Sequence, residues 1–231
     1  YLNFEKEFNE HVINYFISEY QKGRTPFPCL ACNDRLKFDF LLKRAEFMKA
    51  DYIATGHYAS IIENNNEYKL IKGVDETKDQ SYVLFNLTQS IMNKLKLPVG
   101  IFPKNEIRKI AEDHNLINAK KPDSQDICFI PDGDYKKFIN NKIDQNEGII
   151  VDSQGNKLGD HSGIHNFTIG QRKGIGIESK GKPIFVTKIY PSKNIVEVGP
   201  SNELMQRKAY ISKVNIISKK DKITNKEIFA K

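Results

Sequence analysis

Hydrophobic and polar positions in the first part of the chain repeat with the period of an amphipathic helix. Over residues 4–20 apolar side chains recur at close to helical spacing, which predicts a helix that ends before Gly23. A loop containing Pro26 and Pro28 follows, and the pattern of residues 36–48 predicts a second helix. We therefore expect helices to form much of this part of the molecule.

Strand-like patterns begin after residue 50. Residues 51–57 predict a buried strand ending near Gly56, a common place for ligand contacts in open α/β sheets. Residues 58–62 and 68–71 predict a hairpin, and residues 87–115 predict helices interrupted at 97–100. A short helix is predicted over 135–141, and β-rich runs follow at 149–152, 163–169, 183–190, 194–198 and 209–217. This order predicts an α/β and helical first part and a mostly β second part.

Composition narrows the class of protein. A chain of 231 residues with 39% hydrophobic content can bury a core in one large or two small domains. No apolar run approaches the roughly 20 residues that cross a bilayer, and the chain lacks an initiator Met or signal peptide, so we expect it to start inside a longer protein. A net charge of +7 favours polyanionic partners, although solvated lysines explain it equally well. Three cysteines suit a reducing compartment.

Two cysteines lie in polar segments rich in turn-forming residues. Cys32 follows Thr-Pro-Phe-Pro-Cys-Leu-Ala, and Cys128 follows Ser-Gln-Asp-Ile. Reactive cysteines need access and a means of becoming thiolate, and two such loops could supply two sulfurs to one site, as sulfur transfer requires. The Cys29-x-x-Cys32 pair leaves a zinc site, a redox pair and a nucleophile loop open; in the last, a helix beginning near Asn33 would favour the Cys32 thiolate. Cys128 is either a reactive cysteine or an inert one that only packs against its neighbours.

Two further segments have ambiguous chemistry. Residues 73–82 are dense in polar side chains, which suits contacts with a base edge or a sugar but also an ordinary solvated connection. Residues 166–177 combine three glycines with Arg172 and Lys173. Backbone freedom beside positive charge suits a close approach to phosphate, and a glycine-rich β-turn with surface charge is the alternative.

Taken together, these segments resemble the tRNA-specific 2-thiouridylases. The resemblance implies an α/β fold: a partial ATP-pyrophosphatase (adenine nucleotide alpha hydrolase-like) domain, a central domain and the start of a C-terminal β-barrel. These would comprise residues 1–92 plus 122–141, residues 93–121 plus 142–208, and residues 209–231. The matching motifs span most of the chain in family order: Gly-Arg-Thr-Pro (23–26) through Cys-Asn (32–33), Lys-Phe (37–38), Ala-Thr-Gly-His-Tyr (54–58), Lys-Asp-Gln-Ser-Tyr (78–82), Arg-Lys-Ile-Ala (108–111), Cys-Phe-Ile (128–130) and Thr-Ile-Gly-Gln-Arg-Lys-Gly (168–174).

The resemblance implies 2-thiolation of the wobble uridine in the tRNAs for Lys, Glu and Gln. Family members adenylate the C2 oxygen with ATP and Mg²⁺, and a cysteine persulfide then replaces it with sulfur. By this likeness Cys128 bears the persulfide, while Cys32 attacks to release sulfur and ends in a disulfide with Cys128. Gly56 would contact ATP, and no metal ligand is assigned. The base and tRNA contacts would fall on Phe27, Pro28, Cys29, His57, Lys78, Asp79 and Gln80.

The same resemblance implies a partner and a setting. A cysteine desulfurase or sulfur-relay protein would supply the sulfur to a monomer with no membrane attachment. The bacterial cytoplasm is the expected location, with an organellar matrix as the alternative.

The sequence departs from the family pattern in three ways. The phosphate-binding Ser-Gly-Gly-x-Asp-Ser loop is absent from this chain and is expected upstream of Tyr1. Cys29 stands where relatives carry an Asp that assists proton transfer, and a cysteine could do this only when ionised. Phe27 stands where Asn is common. The alternative interpretation is therefore a non-catalytic tRNA-binding remnant that lacks the ATP loop.

Overall fold

The chain forms two compact units. The computed structural model describes residues 1–123, 127–178, 181–218 and 227. The first unit comprises Tyr1–Phe4, Cys29–Ser124 and Ser212–Lys231, and the second comprises Glu5–Pro28 and Gln125–Ile211. The domain boundaries implied by the family resemblance stay a prediction.

Helices occupy most of the first half of the chain, and two of them continue through π-helical turns. No helix in the described ranges is both long enough and apolar enough to cross a membrane. The predicted helices over 4–20 and 135–141 are confirmed. The interrupted helical pattern of 87–115 is confirmed except at Leu95–Lys96, which form a short strand. The segments are α1 (Glu5–Phe8), a π-helical segment (Asn9–Ile13), α2 (Asn14–Gln21), α3 (Pro28–Ala31), a second π-helical segment (Cys32–Leu41), α4 (Leu42–Phe47), α5 (Gln89–Lys94), α6 (Lys104–Asp113) and α7 (Tyr135–Asn140).

The strands of the first unit form two small sheets. β1 (Ile53–Ala54) is shorter than predicted and pairs in parallel with β4 (Leu95–Lys96). The predicted hairpin is confirmed as β2 (Ala59–Asn64) and β3 (Glu67–Lys72), which pair antiparallel. Asn65 and Asn66 make its turn with φ of 51° and 60°, the left-handed geometry that asparagine tolerates and that matches strand twist. The core beneath these elements includes Phe38, Ala59, Leu84, Leu87 and Leu95.

The second unit contains a four-stranded sheet in the order β6-β5-β8-β7. Predicted strands at 149–152, 183–190 and 194–198 are confirmed as β5 (Gly148–Val151), β7 (Phe185–Tyr190) and β8 (Ile195–Gly199). The remaining strand, β6 (Lys157–His161), escaped prediction because its five residues include only one strongly apolar side chain. Strand β5 pairs in parallel with β8 and antiparallel with β6. Residues packed inside the sheet are Ile150, Ile164, Phe167, Ile175, Val186, Val196 and Val198.

Two strand predictions in the second half were wrong. Residues 163–169 contain a 3₁₀ turn at Ile164–Asn166, because Ile164 and Phe167 reach the core from a turn rather than from alternating strand positions. Residues 209–217 contain no strand within the described part of the chain; there Asn215 bonds the carbonyls of Phe85 and Leu87 instead of a neighbouring strand. Residues 219–226 and 228–231 of the predicted barrel start lie outside the described residues.

Candidate active site

Cys29 and Cys32 lie on a helix rather than in the predicted loop. Helix α3 begins at Pro28, eight residues before the predicted start of the second helix. Proline is well suited to the first helical position, because its fixed φ is helical and its missing N–H is not needed there. Cys29 is exposed and Cys32 is partly buried. The predicted helix start near Asn33 was wrong, because the helix begins at Pro28 and Cys29 lies in its first turn.

A buried polar cluster follows Cys32 directly. Asn33 is only 1% exposed, and its side-chain amide donates to the carbonyl of Val83 at 2.8 Å. The ammonium of Lys37 donates to Asn33 Oδ1 at 2.9 Å and lies 3.4 Å from Nε2 of His57. Nδ1 of His57 is 2.7 Å from Oγ1 of Thr55. We call Asn33, Lys37, Thr55 and His57 the polar cluster; it connects the helix of Cys32 to the loop after β1.

The polar cluster fixes the protonation state of His57. Burial, reinforced by the positive charge of Lys37, lowers the pKa of His57 from 6.5 to about 4, so the imidazole is neutral near pH 7. An ammonium has hydrogens to donate and no lone pair, so Nε2 must be the acceptor. The single ring hydrogen is therefore on Nδ1 and is donated to Thr55. The hydroxyl hydrogen of Thr55 remains available for a further acceptor.

Gly56 lies between Thr55 and His57, just after the carboxyl end of β1. A Cβ added to Gly56 would meet nothing within 4 Å, so one side of this backbone is open. The amide of Thr55 donates to the carbonyl of Lys96 at 3.1 Å, which ties the loop to β4. An open main chain at the carboxyl end of a parallel strand is where α/β proteins place ligands, so the local geometry fits a nucleotide contact.

The segment Lys78-Asp79-Gln80 is held beside His57 by its own side chains. The amide of Tyr58 donates to Oε1 of Gln80 at 3.0 Å, and the amide of Gln80 donates to the carbonyl of Tyr58 at 2.8 Å. Asp79 is buried and accepts from the amide of Gly73 at 3.0 Å. Asp79 and Gln80 therefore support the backbone, while the side chain of Lys78 is 41% exposed.

Lys78 belongs to a charged cluster centred on Asp123. The Asp123 carboxylate lies 3.0 Å from Lys78 Nζ, 3.2 Å from Lys104 Nζ and 3.0 Å from Arg108 Nη2. Hydrogen bonds from these three cations hold the pKa of the carboxyl well below its usual range. Asp123 was not a candidate from the sequence. The helical spacing of Lys104 and Arg108 was the available signal, since residues four apart share a helix face.

Cys128 belongs to the second unit, where its neighbours anchor it on a turn. The amide of Ile130 donates to the carbonyl of Ile127 at 2.9 Å, which closes the turn around Cys128. Phe129 packs edge-on against Phe16, with ring centroids 5.4 Å apart. The cysteine itself is exposed. A thiol facing solvent between two partly buried apolar neighbours, Ile127 and Phe129, suits sulfur exchange. The polar flank 124–126 lies outside the described residues.

The other candidate positions divide between the two units. Phe27, 40% exposed, and the buried Pro28 lie at the end of the first segment of the second unit, Glu5–Pro28. The first unit contains the other candidate positions outside Cys128, namely Cys29, Cys32, Gly56, His57 and residues 78–80. None of the three cysteines forms a disulfide in this structure. Within the described residues, no group of three or more His, Cys, Asp or Glu side chains could hold a metal ion.

Two family models match the chain. One, described as a tRNA methyl transferase HUP domain, matches residues 1–132. The other, described as a tRNA methyl transferase PRC-barrel domain, matches residues 136–200. The second match covers the four-stranded sheet of the second unit. The chain is therefore an α/β HUP domain followed by a PRC-barrel domain.

Curated relatives carry a name that specifies sulfur rather than methyl transfer. The tRNA-specific 2-thiouridylase MnmA of Carboxydothermus hydrogenoformans is 46% identical over 94% of this chain and 60% of its own length. The proteins of the same name from Clostridium perfringens and Lachnoclostridium phytofermentans are 47% and 44% identical, over 94% and 100% of this chain and 61% and 65% of their own lengths. The chain thus spans less than two thirds of these relatives, and it belongs to the tRNA-specific 2-thiouridylase family.

Proposed function

We propose that the protein containing this chain is a tRNA-uridine 2-sulfurtransferase that thiolates the wobble uridine of tRNAs for Lys, Glu and Gln. The observation that carries the proposal is the family membership of residues 1–132 together with an exposed thiol at Cys128. The relatives bear the name 2-thiouridylase, which denotes a sulfur transfer. Two cysteines in separate polar segments suggest the same kind of reaction.

The proposed chemistry divides between activation of the base and delivery of sulfur. Bound ATP, with Mg²⁺ on its phosphates, would turn the C2 oxygen of uridine into a good leaving group by adenylation. The terminal sulfur of a persulfide on Cys128 then attacks C2, and the activated oxygen departs with AMP. The Cys32 thiolate attacks the Cys128 sulfur, which breaks the sulfur–sulfur bond, leaves the terminal sulfur on C2 and forms a Cys32–Cys128 disulfide.

The first unit supplies positioning for this reaction. Gly56 has an open side on which a nucleotide could approach the main chain, and the neutral His57 next to it is fixed in one tautomer. A preorganised pocket of this kind favours reaction because the reacting atoms are held in place before the chemistry begins. Phe27, Pro28, Cys29 and Lys78–Gln80 are proposed to contact the base or the RNA.

Cys29 has a distinct proposed role. Members of the family with Asp at this position would use it for proton transfer, which Cys29 could perform only as a thiolate. Its side chain is exposed in the first turn of the helix. We expect Cys29→Asp to keep thiolation and Cys29→Ala to slow it. Equal thiolation rates for Cys29→Ala and the unchanged protein would show that Cys29 does not take part in proton transfer.

The test of the proposal separates sulfur chemistry from binding in the full-length protein, with a cysteine desulfurase or sulfur-relay protein as donor. Cys128→Ser is expected to abolish thiolation while tRNA binding persists. Cys32→Ser is expected to let persulfide accumulate on Cys128 without transfer to tRNA. Loss of thiolation and tRNA binding together in Cys128→Ser would indicate a structural cysteine, and normal turnover in Cys32→Ser would reject its assignment.

The description of the family models favours methyl transfer as a second candidate reaction. Labelled sulfur from cysteine and a labelled methyl donor distinguish the two reactions. Thiolation would place only the sulfur label in the tRNA, and methylation only the methyl label. Incorporation of sulfur alone supports the proposal. Binding of tRNA with neither label incorporated would instead support the non-catalytic, tRNA-binding interpretation. The reaction is proposed to occur in the bacterial cytoplasm.

A further inference from the structure

A glycine-rich loop in the second unit has the features of an anion-binding segment and has no part in the chemistry proposed above. We call residues 168–177 the glycine loop. Gly170, Gly174 and Gly176 have φ of +86°, +65° and +87°, conformations that other residues rarely adopt. A Cβ on Gly170 or Gly176 would meet nothing within 4 Å, so the main chain there is open to an approaching ligand.

The glycine loop is held in shape by one side chain. Oε1 of Gln171 accepts from the amide of Thr168 at 3.0 Å. Nε2 of Gln171 donates to the carbonyls of Lys173 and Gly174 at 3.0 and 3.3 Å. At the base of the loop, Gly170 donates to the carbonyl of Val186 at 2.8 Å, and Ile175 is buried in the core. The conformation is therefore fixed before any ligand arrives.

One stretch of this loop, residues 172–177, presents main-chain N–H groups to a ligand. Within the described ranges, no N–H of residues 172–177 donates a hydrogen bond to another residue. The carbonyls of Lys173 and Gly174, in contrast, are occupied by Gln171. Loops that present several free N–H groups form concave sites for anions, because each N–H carries partial positive charge.

Positive side chains surround the same backbone on two sides. Arg172 and Lys182 line a cavity of about 320 Å³ that also contains Gly174 and Gly176. On α7, Lys136 Nζ lies 3.9 Å from the position a Cβ on Gly174 would occupy. Lys173 projects from the loop and is exposed. None of these four cations forms an ion pair with a carboxylate among the residues that the structure describes.

Nearby acidic groups do not cancel this charge. Glu178 follows the loop and is exposed. Asp160 lines a second cavity, next to Lys136 and Gly174, and pairs with Lys157 at 2.7 Å. Among the described residues, the four cations without an ion-pair partner outnumber these two carboxylates, so the segment keeps net positive charge.

We propose that the glycine loop binds consecutive backbone phosphates of the RNA substrate, with Arg172, Lys182 and Lys136 as the cationic contacts and the loop N–H groups as neutral donors. The cations lie beside two cavities that share Gly174, Ile175 and Gly176, an arrangement that suits a chain of phosphates better than one terminal phosphate. This inference rests on the proposed function, which makes tRNA the substrate.

The test measures how tRNA affinity depends on salt in the full-length protein. The double variant Arg172→Gln/Lys182→Gln removes two exposed cations. We expect its affinity to fall about tenfold or more at low salt. Its slope of log affinity against log salt should decrease by about 1.4 to 1.8, because each of the two phosphate contacts contributes about 0.7–0.9. The control, Lys142→Gln/Lys193→Gln, removes the same charge at exposed lysines of the same unit, and we expect it to keep the slope of the unchanged protein.

Each outcome decides between the alternatives. Equal slopes for the two double variants would overturn the assignment of the loop while leaving thiolation by the unchanged protein intact. Competition of AMP with tRNA in the unchanged protein, lost in Arg172→Gln/Lys182→Gln, would assign the loop to a free nucleotide instead. Failure of the unchanged protein to bind any tRNA would overturn the proposed function together with this inference. Normal persulfide loading of Cys128 in the variant confirms that its fold is intact.

Discussion

The polar cluster of the first unit and the glycine loop of the second use polar groups in opposite ways. In the polar cluster, Asn33 and His57 are buried and both accept from Lys37. Asn33 also donates to the carbonyl of Val83, and His57 donates to Thr55. In the glycine loop, a row of N–H groups and several cations have no partner among the described residues. The first arrangement fixes a single geometry and the second leaves binding capacity for a polyanion.

This difference predicts where stability and binding should separate. A buried polar group costs free energy when its partner is removed, whereas an exposed one regains water. Substitutions in the polar cluster should therefore act mainly on folding, and substitutions in the glycine loop mainly on affinity. Substitutions in the two regions can test this distinction, and loss of a buried hydrogen-bond partner should have the strongest effect.

The largest effect on stability is expected for Asn33→Leu. This substitution leaves the carbonyl of Val83 and the ammonium of Lys37 without the bonds of 2.8 and 2.9 Å that Asn33 now provides. Each uncompensated group costs about 1–3 kcal/mol, so the free energy of unfolding should fall by about 4 kcal/mol. Denaturant unfolding monitored by circular dichroism measures the change.

The matched control for Asn33→Leu is Lys173→Met in the glycine loop. Lys173 is exposed and forms no ion pair within the described residues, so the free energy of unfolding should change by less than about 0.5 kcal/mol. Similar destabilisation by both substitutions would show that the two regions do not differ in the way proposed here.

The second effect concerns the stability of the protein in acid. His57 has a folded pKa of about 4 and an ordinary value of 6.5, so the unfolded chain binds more protons between these pH values. Stability should therefore fall as the pH decreases from 6.5 to about 4, by on the order of 2–3 kcal/mol from this group. Burial also lowers the pKa values of His161 and His165, so they contribute in the same direction.

His57→Gln separates the contribution of His57 from that of the other two histidines. Glutamine does not titrate, so the dependence of unfolding free energy on pH should become shallower without disappearing. The unchanged protein and the variant are compared by denaturant unfolding at several pH values. An unchanged slope in His57→Gln would mean that His57 is not the neutral, buried group described above.

A smaller and more specific change is expected for Lys37→Met. Loss of the ammonium removes its electrostatic effect, so the pKa of His57 should rise; it should stay below 6.5 because burial is the larger cause. An NMR titration of the His57 ring measures this value. Lys43→Met is the control, because Lys43 follows on the same helical stretch and pairs with Asp39. A rise of equal size in both variants would contradict a direct interaction between Lys37 and His57.

The sequence was sufficient to predict elements defined by local chemistry. Alternating apolar positions flanking an Asn-rich turn predicted the hairpin, since asparagine tolerates the left-handed φ found at Asn65 and Asn66. Helical periodicity predicted the helix that buries Phe16 and Tyr20. Family motifs located the segments containing the candidate cysteines, although the roles of Cys32 and Cys128 stay predictions.

Features that depend on distant contacts could not be predicted in the same way. The two prolines before Cys29 suggested a loop, yet Pro28 begins a helix. Lys37 and His57 are twenty residues apart, and only packing of the helix against the loop after β1 brings them together. Asp123 likewise meets Lys78 across forty-five residues. Such partners carry no local pattern, because their spacing follows from the fold.

The smallest effect is predicted for Asp123→Asn. This substitution removes the carboxylate that partly neutralises the charged cluster of the first unit, so the cluster would resemble the glycine loop in its excess of positive charge. Asp123 now accepts bonds from Lys78, Lys104 and Arg108, which leaves these cations less able to attract another anion. Replacing its charge should raise the affinity for tRNA modestly and make the salt dependence steeper. Asp39→Asn is the control, since Asp39 pairs with one lysine and the change in net charge is the same. A similar gain in both variants would show that net charge, rather than the release of three converging cations, determines binding by this surface.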